Sequence, residues 1–337
     1  MIGTPPADET VALLALDALP PGEQADAELR FGMLPGDLAD AATLLAEQAI
    51  TEPPPDLRSD TLLRAASRRP PGRPVDAVQP CEPAVAFDRT VDDLHHLLGS
   101  LTDAEWNAPA HAEYGRVRDL VAHLVGVERL VLRWLDPQDT VPDLHDHVAA
   151  TRPVMTELAD TDPHDIARQW YEGARAVADA AAASPDRSRQ VVFHDLVVSV
   201  DQLLVLRTAE LWGHSIDICQ ATGRPLPQLD MERMALLCAE LMAALPLAMA
   251  YAGIASPGRA ARLALTGPAG GTYTVPLAPQ APQARAVEPD VTIVTDAAGL
   301  CRVAVRRLRP EQLEAAVDGD RELGDLVLAG IGALARD

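Results

Sequence analysis

The sequence has no lysine. All 28 basic residues are arginine, against 50 acidic residues, so the 337-residue chain carries a net charge of -22. A surface this acidic excludes direct nucleic-acid binding and a broad contact with anionic membranes, because both partners would be repelled. It is compatible with a basic protein partner, and the length predicts two or three domains.

Cysteines and membrane-directed segments are also scarce. The most apolar segment, Leu236 to Ala252, is short for a membrane span and carries Glu240 and Pro246. The first residues lack the basic and apolar regions of a signal peptide. Four cysteines occur without CxxC spacing, which favours reduced core thiols: Cys81, Cys219, Cys238 and Cys301. We therefore expect a cytoplasmic protein with no membrane partner.

Residues 1–68 have the pattern of a short helical unit in which proline-rich breaks separate four helices. The stretch Leu13–Glu23, with Pro54–Arg58 and the pair Leu62-Leu63, resembles the N-terminal domain of zinc-type anti-sigma factors. The positions of that family's zinc ligands hold Leu29, Met33 and Gly36. The resemblance is thus to a metal-free version, with a sigma factor as its implied partner. The alternative is a helical extension that packs on the next domain.

Residues 69–82 are a proline-rich, stiff linker. Residues 83–254 then show long apolar helical patterns without alternating strands, which predicts an up-and-down helical bundle. The predicted helices are Ala84–Leu101, Val117–Leu135, Ile166–Ala182, Leu196–Ile218 and Met231–Met249.

Residues 255–337 change character and predict a small α+β domain. Arg262–Gly267 and Thr272–Leu277 flank a Gly-Pro-Ala-Gly-Gly turn and form a predicted hairpin, and Val291–Thr295 is a further strand. Three helices are predicted to follow: Ala297–Val305, Pro310–Ala316 and Glu322–Ala335. The whole chain is therefore predicted to be mainly α.

A polar stripe lies inside the long apolar pattern from Leu196 to Ile218. Its members, at spacings of 3, 4 and 3, share one helix face: Arg207, Glu210, His214 and Asp217. Charged groups on a buried helix must be paired, hydrated or bound to a ligand, because burial of an uncompensated charge is costly. Glu210 and His214, one turn apart, can bind one metal ion or can simply hydrogen-bond to each other.

The best candidate for a third ligand is His123, whose neighbours on the helix Val117–Leu135 are leucine and valine. A lone histidine on such a face is more often a hydrogen-bonded core residue. Helical bundles nevertheless build metal sites from inward-facing histidine and glutamate on neighbouring helices. Two histidines and one carboxylate leave a coordination position open, as in catalytic zinc sites.

The residues around these candidates carry a family resemblance. Val117–Leu124, Leu206–Ile218 and Gly223-Arg-Pro225 resemble motifs of the mycothiol-dependent maleylpyruvate isomerase family, whose metal-binding domain is a DinB-like bundle. Residues from about 258 resemble the sterol-carrier-like domain that follows the bundle in that family. The resemblance implies that His123, Glu210 and His214 bind a divalent metal, usually zinc.

The same resemblance implies a thiol cofactor, mycothiol or a similar low-molecular-weight thiol, and an electrophilic small-molecule substrate. The metal would bind the thiol as thiolate. Asp217 would then support a ligand or pair with Arg207 or Arg224. Two departures stand out: Ala110–Gly115 replaces the family's Cys-Pro-Gly-Trp-like turn, and Tyr273 replaces a common tryptophan.

Other candidates have simpler interpretations. His145 and His147 lie on an acidic loop and are expected not to bind metal. Cys219 has no activating neighbour in the sequence, so it is expected to be a buried thiol. The arginines of the C-terminal domain, Arg302, Arg306 and Arg307, could meet an anionic substrate, but a solvated helix face beside Pro310 is the expected interpretation.

Two functions fit these features. The first is a zinc-dependent isomerase or S-transferase that uses a low-molecular-weight thiol. The second is an anti-sigma-type regulator in which residues 1–68 sequester a sigma factor and the metal domain is a sensor or scaffold.

Overall fold

A computed structural model describes residues 57–67, 78–136, 147–184, 186–193, 196–279 and 288–335. The chain divides into two units, Met1–Arg58 and Ser59–Asp337. Most of the first unit, including Leu29, Met33 and Gly36, lies outside the described residues, as does His145 with the side chain of His147.

Long helices build the first part of the second unit, as the sequence predicts. Their bounds are α2 Pro83–Gly99, α4 Val117–Leu135, α6 Pro163–Ala183, α7 Val200–Thr222 and α8 Met231–Tyr251; the shorter α1 Leu57–Ser67 precedes them, and α3 is Asp103–Trp106. Helix α4 has the predicted bounds. Helices α2, α4, α6 and α7 share one apolar core, in which Phe87, Trp106, Leu124 and Trp170 are fully buried.

The N-terminal end of α7 differs from the prediction of one helix from Leu196. Residues Leu196–Ser199 form a strand, β4, that pairs antiparallel with β3, Gln190–Phe193. The helix begins only at Val200 because Ser199 caps it: the Ser199 hydroxyl accepts from the Gln202 amide, and the Gln202 side chain accepts from the Ser199 amide. Apolar content alone does not distinguish such a strand from a helix.

Two elements that the sequence analysis did not predict lie beside the bundle. Strands β1, Pro109–His111, and β2, Gly115–Arg116, form a small hairpin immediately before α4. Helix α5, His147–Glu157, contains Pro153 and packs along α4.

The C-terminal part is a four-stranded sheet with helices, which confirms the α+β prediction. The strand order is β6-β5-β7-β8, with β5 and β7 parallel and both outer pairs antiparallel. The bounds are β5 Ala260–Thr266, β6 Thr272–Pro276, β7 Val291–Asp296, α9 Ala297–Ala304, β8 Ala315–Gly319 and α10 Arg321–Ile331. The predicted helix Pro310–Ala316 is wrong: only a 3-10 turn, Pro310–Gln312, forms before β8.

Helix α8 packs mainly against this C-terminal part. Leu245 and Met249 share an apolar cluster with residues of the sheet, such as Leu263 and Ile293. Among the described helices, α8 is long and apolar enough to cross a membrane, with a mean hydropathy of 1.8, but 50% of that window is buried inside the protein. Its burial fits a core helix.

Helix α1 packs on the sheet. Its residues Leu62 and Leu63 contact the buried side chains of Ala264, Val294 and Ala316. The last of the four predicted N-terminal helices therefore exists, and two leucines that carry the anti-sigma resemblance are used in packing.

Candidate metal centre

Helix α7 positions the central residues of the site. It spans 23 residues, Val200–Thr222, between the Ser199 cap and Gly223, whose φ of 68° is the left-handed conformation that ends many helices. Arg207, His214 and Asp217 are buried on this helix, while Glu210 keeps 22% of its side chain exposed. Solvent therefore reaches the stripe at Glu210.

Three of the predicted residues come together. Ligand atoms of His123 on α4 and of Glu210 and His214 on α7 lie within 4.8 Å of one another. The rings of His123 and His214 are 5.9 Å apart between centroids and inclined by 75°. Within the described residues, this is the one group of such side chains arranged to hold a metal ion.

A hydroxyl on α5 fixes the ring of His123. The Nδ1 atom of His123 is 2.7 Å from the Thr151 hydroxyl, and both residues are fully buried. Gly126, one turn further along α4, permits this approach, since a Cβ there would lie 2.8 Å from the Cβ of Thr151. With Nδ1 engaged, Nε2 is the nitrogen of His123 that can face a metal.

An arginine of the C-terminal part supports His214. The Nδ1 atom of His214 is 3.0 Å from Asp217 Oδ2, and Arg307 donates to both Asp217 oxygens at 2.8 and 2.6 Å. Burial opposes ionisation of Asp217, but hydrogen bonds from His214 and Arg307 outweigh it and hold its pKa below the ordinary value. A carboxylate on Nδ1 leaves Nε2 of His214 to face the metal position.

A buried ion pair supports Glu210 from the bundle interior. Arg207 donates to Glu128 Oε1 at 2.6 Å, and the exposed fractions of these two side chains are 0% and 1%. The same guanidinium pairs with Glu210. Burial would lower the pKa of Arg207, but the two carboxylates reverse this and raise it. Burial raises the pKa of Glu128, with Arg207 acting in the opposite direction.

The hairpin before α4 forms a wall of stacked rings. Tyr114 stacks on His123 with centroids 3.9 Å apart, and His111 stacks on Tyr114 at 4.6 Å. The edge of His214 faces this stack, 6.0 Å from His111. The backbone amide of Glu113 donates to His111 Nδ1 at 3.2 Å. The segment that departs from the family's usual turn therefore lies against a metal-ligand candidate.

A groove of about 370 Å³ lies outside this wall. It is lined by Tyr114, by Asp119, which is one turn before His123, and by residues of α5 that follow Thr151. Its charges are paired: Arg152 donates to Glu113 at 2.8 Å, and Arg116 donates to Asp119 at 2.9 Å.

The residues fit a divalent metal. Two imidazoles and one carboxylate are the protein ligands of many catalytic zinc sites. Ligand atoms around a tetrahedral zinc are roughly 3.3 Å apart, so small side-chain rotations would close the observed spread. The backing of both histidines through Nδ1 is the arrangement expected of metal-binding imidazoles.

Several supporting residues were missed by sequence reasoning. Glu128 and Thr151 are separated from their partners by 79 and 28 residues, and no local pattern indicates such pairs. The prediction of a solvated face is wrong for Arg307, whose side chain is only 7% exposed. Asp217 pairs with His214 and Arg307, whereas Arg224 binds Glu105. Cys219 is buried as predicted, and burial raises its pKa.

Comparison with known proteins finds one family and two solved structures that the chain resembles. Residues 87–219, which include the three candidate ligands, match the family described as Mycothiol maleylpyruvate isomerase N-terminal domain. Among solved structures, the chain is similar to a mycothiol-dependent maleylpyruvate isomerase, with 18% identity, a TM-score of 0.47 and coverage of 70% of this chain and 92% of that chain. A histidine-to-alanine mutant of that enzyme gives 17% identity, with the same coverage and TM-score. No curated protein matches the chain.

Proposed function

Because residues 87–219 match the family described as Mycothiol maleylpyruvate isomerase N-terminal domain, we propose that this protein is a zinc-dependent isomerase or S-transferase that uses mycothiol or a similar thiol. The observation that carries the proposal is the convergence of His123, Glu210 and His214. Two helices that are far apart in the sequence supply one ligand set, and no packing requirement demands two imidazoles and a carboxylate at one point.

The side chains of this site would hold zinc through one nitrogen of each histidine and one oxygen of Glu210. When bound, the metal supplies a positive charge that lowers the pKa of a coordinated thiol and so favours the thiolate. Asp217 and Thr151 engage the Nδ1 atoms of the two imidazoles, which would leave both Nε2 atoms for the metal. The aromatic wall of Tyr114 excludes water from one side of His123.

The groove beside Tyr114 supports the thiol part of the proposal. It adjoins Tyr114, which stacks on the candidate ligand His123, and its charged side chains are paired, so we assign it to the polar body of an uncharged thiol. The partially exposed Glu210 gives the electrophilic substrate access to the open coordination position.

Turnover with and without thiol tests the proposal. Zinc-loaded protein is mixed with maleylpyruvate, and with other electrophiles, in the presence and absence of mycothiol. We expect product formation only when both zinc and thiol are present, and none with the Glu210→Ala variant. Thiol-independent turnover, or no turnover of any electrophile by zinc-loaded protein, contradicts the proposal.

A further inference from the structure

We propose that Glu128, whose side chain is only 1% exposed, is a positioning residue that acts on the metal site through Arg207. Its role is to compensate the charge of Arg207, so that Arg207 orients Glu210 without withdrawing it from the metal. The inference rests on the proposed function and adds a residue pair to it.

Arg207 links Glu128 to the candidate ligand Glu210. Its guanidinium lies between two carboxylates, Glu128 on α4 and the ligand candidate Glu210 one turn along α7. Its side chain has no exposed surface. Water therefore screens the arginine's charge less than it would at the surface, and both nearby carboxylates interact with it strongly.

Arg207 and a metal ion would compete for the carboxylate of Glu210. A buried arginine with a single carboxylate partner binds it strongly, because separation would leave an uncompensated charge in the interior. If Glu210 were that single partner, metal binding would have to compete with the ion pair. A second cation would also have to approach the guanidinium. Both effects weaken metal binding.

Glu128 reduces this competition because it supplies Arg207 with a second carboxylate partner. Glu128 is 1% exposed and contacts Arg207 at 2.6 Å, so the pair is neutral before Glu210 is counted. Glycine at position 173 on α6 makes room for it, since a Cβ on Gly173 would lie 3.2 Å from the Cβ of Glu128. With this compensation the charge of Glu210 remains available for a metal.

A double-mutant cycle tests the inference. The zinc dissociation constant is measured by chelator competition for the wild type, Glu128→Gln, Arg207→Met and the double variant. We expect Glu128→Gln to weaken zinc binding by about 10- to 100-fold. The double variant should bind zinc more tightly than Glu128→Gln, because the uncompensated cation is gone. Glu157→Gln, in the exposed Arg129–Glu157 pair, is the matched control and should leave the constant unchanged.

Spectroscopy adds a readout that stability alone would not move. The visible absorption of the cobalt-substituted protein reports the ligands directly. In Glu128→Gln we expect an altered cobalt spectrum, and in Glu128→Asp, which keeps the charge, a spectrum closer to that of the wild type. Glu128→Asp also replaces Glu128→Gln in the affinity comparison if the glutamine variant does not fold. Its zinc binding should then be weakened, but less than tenfold.

The failures are distinguishable. A wild-type protein that binds no zinc contradicts the proposed function and this inference together. If the wild type binds zinc and Glu128→Gln binds it equally well, only this inference is overturned. A double variant that binds zinc no better than Glu128→Gln also overturns it, because the effect of Glu128 would then not depend on Arg207. If Glu128→Gln does not fold and Glu128→Asp binds zinc as tightly as the wild type, the inference is also overturned.

Discussion

Glu210 and His214 lie one turn apart on the same helix, yet two different parts of the protein support them. Glu210 is backed by Arg207 and Glu128, a pair inside the bundle with at most 1% exposure. His214 is backed by Asp217 and by Arg307 from the C-terminal part. The support of Glu210 therefore depends on the bundle alone, whereas the support of His214 also depends on the packing of the C-terminal part against the bundle.

Breaking the Arg207–Glu128 pair inside the bundle should lower the free energy of unfolding the most. Arg207→Met leaves Glu128 buried without its counter-charge, so we expect the free energy of unfolding of the metal-free protein to fall by about 3–5 kcal/mol. Urea denaturation measures this loss. The control is Arg129→Met, which breaks the exposed pair with Glu157 and should change stability by only about 0.5 kcal/mol. Equal losses in the two variants would contradict the structural role of the buried pair.

Two glycines next to the ligands sharpen the comparison. A methyl group on Gly126 would meet the Thr151 Cβ at 2.8 Å, so Gly126→Ala should cost about 1–3 kcal/mol and weaken zinc binding through His123. A methyl group on Gly213 would meet Val305 and Arg307 only at ordinary contact, 3.6 and 3.7 Å. Gly213→Ala should therefore leave the stability and the zinc affinity unchanged. The interpretation fails if Gly213→Ala is the more damaging variant in denaturation and zinc titration.

Breaking the His214 side should affect metal binding more than stability. Arg307→Gln leaves Asp217 on His214 but removes two hydrogen bonds that hold it, so we expect zinc affinity to fall by about tenfold. Arg307 also helps to lower the Asp217 pKa below 3.8. That lowering stabilises the folded protein above pH 3.8 and the benefit is lost as the pH falls through the lowered pKa. The stabilities of Arg307→Gln and wild type should therefore converge on acidification; a difference that persists would contradict this.

The smallest effect is expected at the exposed end of the ligand helix. Arg224, just past α7, binds Glu105 at 2.7 Å, and hydrogen bonds from Arg224 and Thr102 lower the Glu105 pKa from 4.5 to about 2. The contact stabilises the fold above pH 4.5, and its contribution disappears as the pH falls toward about 2. Glu105→Gln should thus be slightly less stable than wild type at neutral pH and equal to it near pH 2, measured by denaturation across pH. An equal deficit at both pH values would contradict this origin.

The sequence was sufficient for the long helices of the bundle and for naming three side chains that the fold brings together. Helix α4 has the predicted bounds, and the spacing of Glu210 and His214 places them on one face of α7. His123 could be paired with them because helical bundles build metal sites from inward-facing histidine and glutamate on neighbouring helices. The periodicity of a helix depends only on residues close together in the chain, so it can be recognised from the sequence.

The supports of those ligands could not be predicted in the same way. Glu128 lies on α4, one turn after Leu124, but its partner Arg207 is 79 residues away. Arg307 follows α9 in a turn where Arg306 takes a φ of 58° without a glycine to indicate it. The strand Leu196–Ser199 is as apolar as the helix it precedes, and only the capping of Ser199 separates the two. Such features depend on tertiary contacts or on the competition between two local structures.

The metal content of the purified protein tests the central claim most directly. We expect about one equivalent of zinc in the native protein and none in Glu210→Ala or His214→Ala, with all three proteins folded by circular dichroism. A well-folded native protein without metal that also fails to take up added zinc would contradict the claim. The convergent histidines and carboxylate would then be a buried hydrogen-bond network.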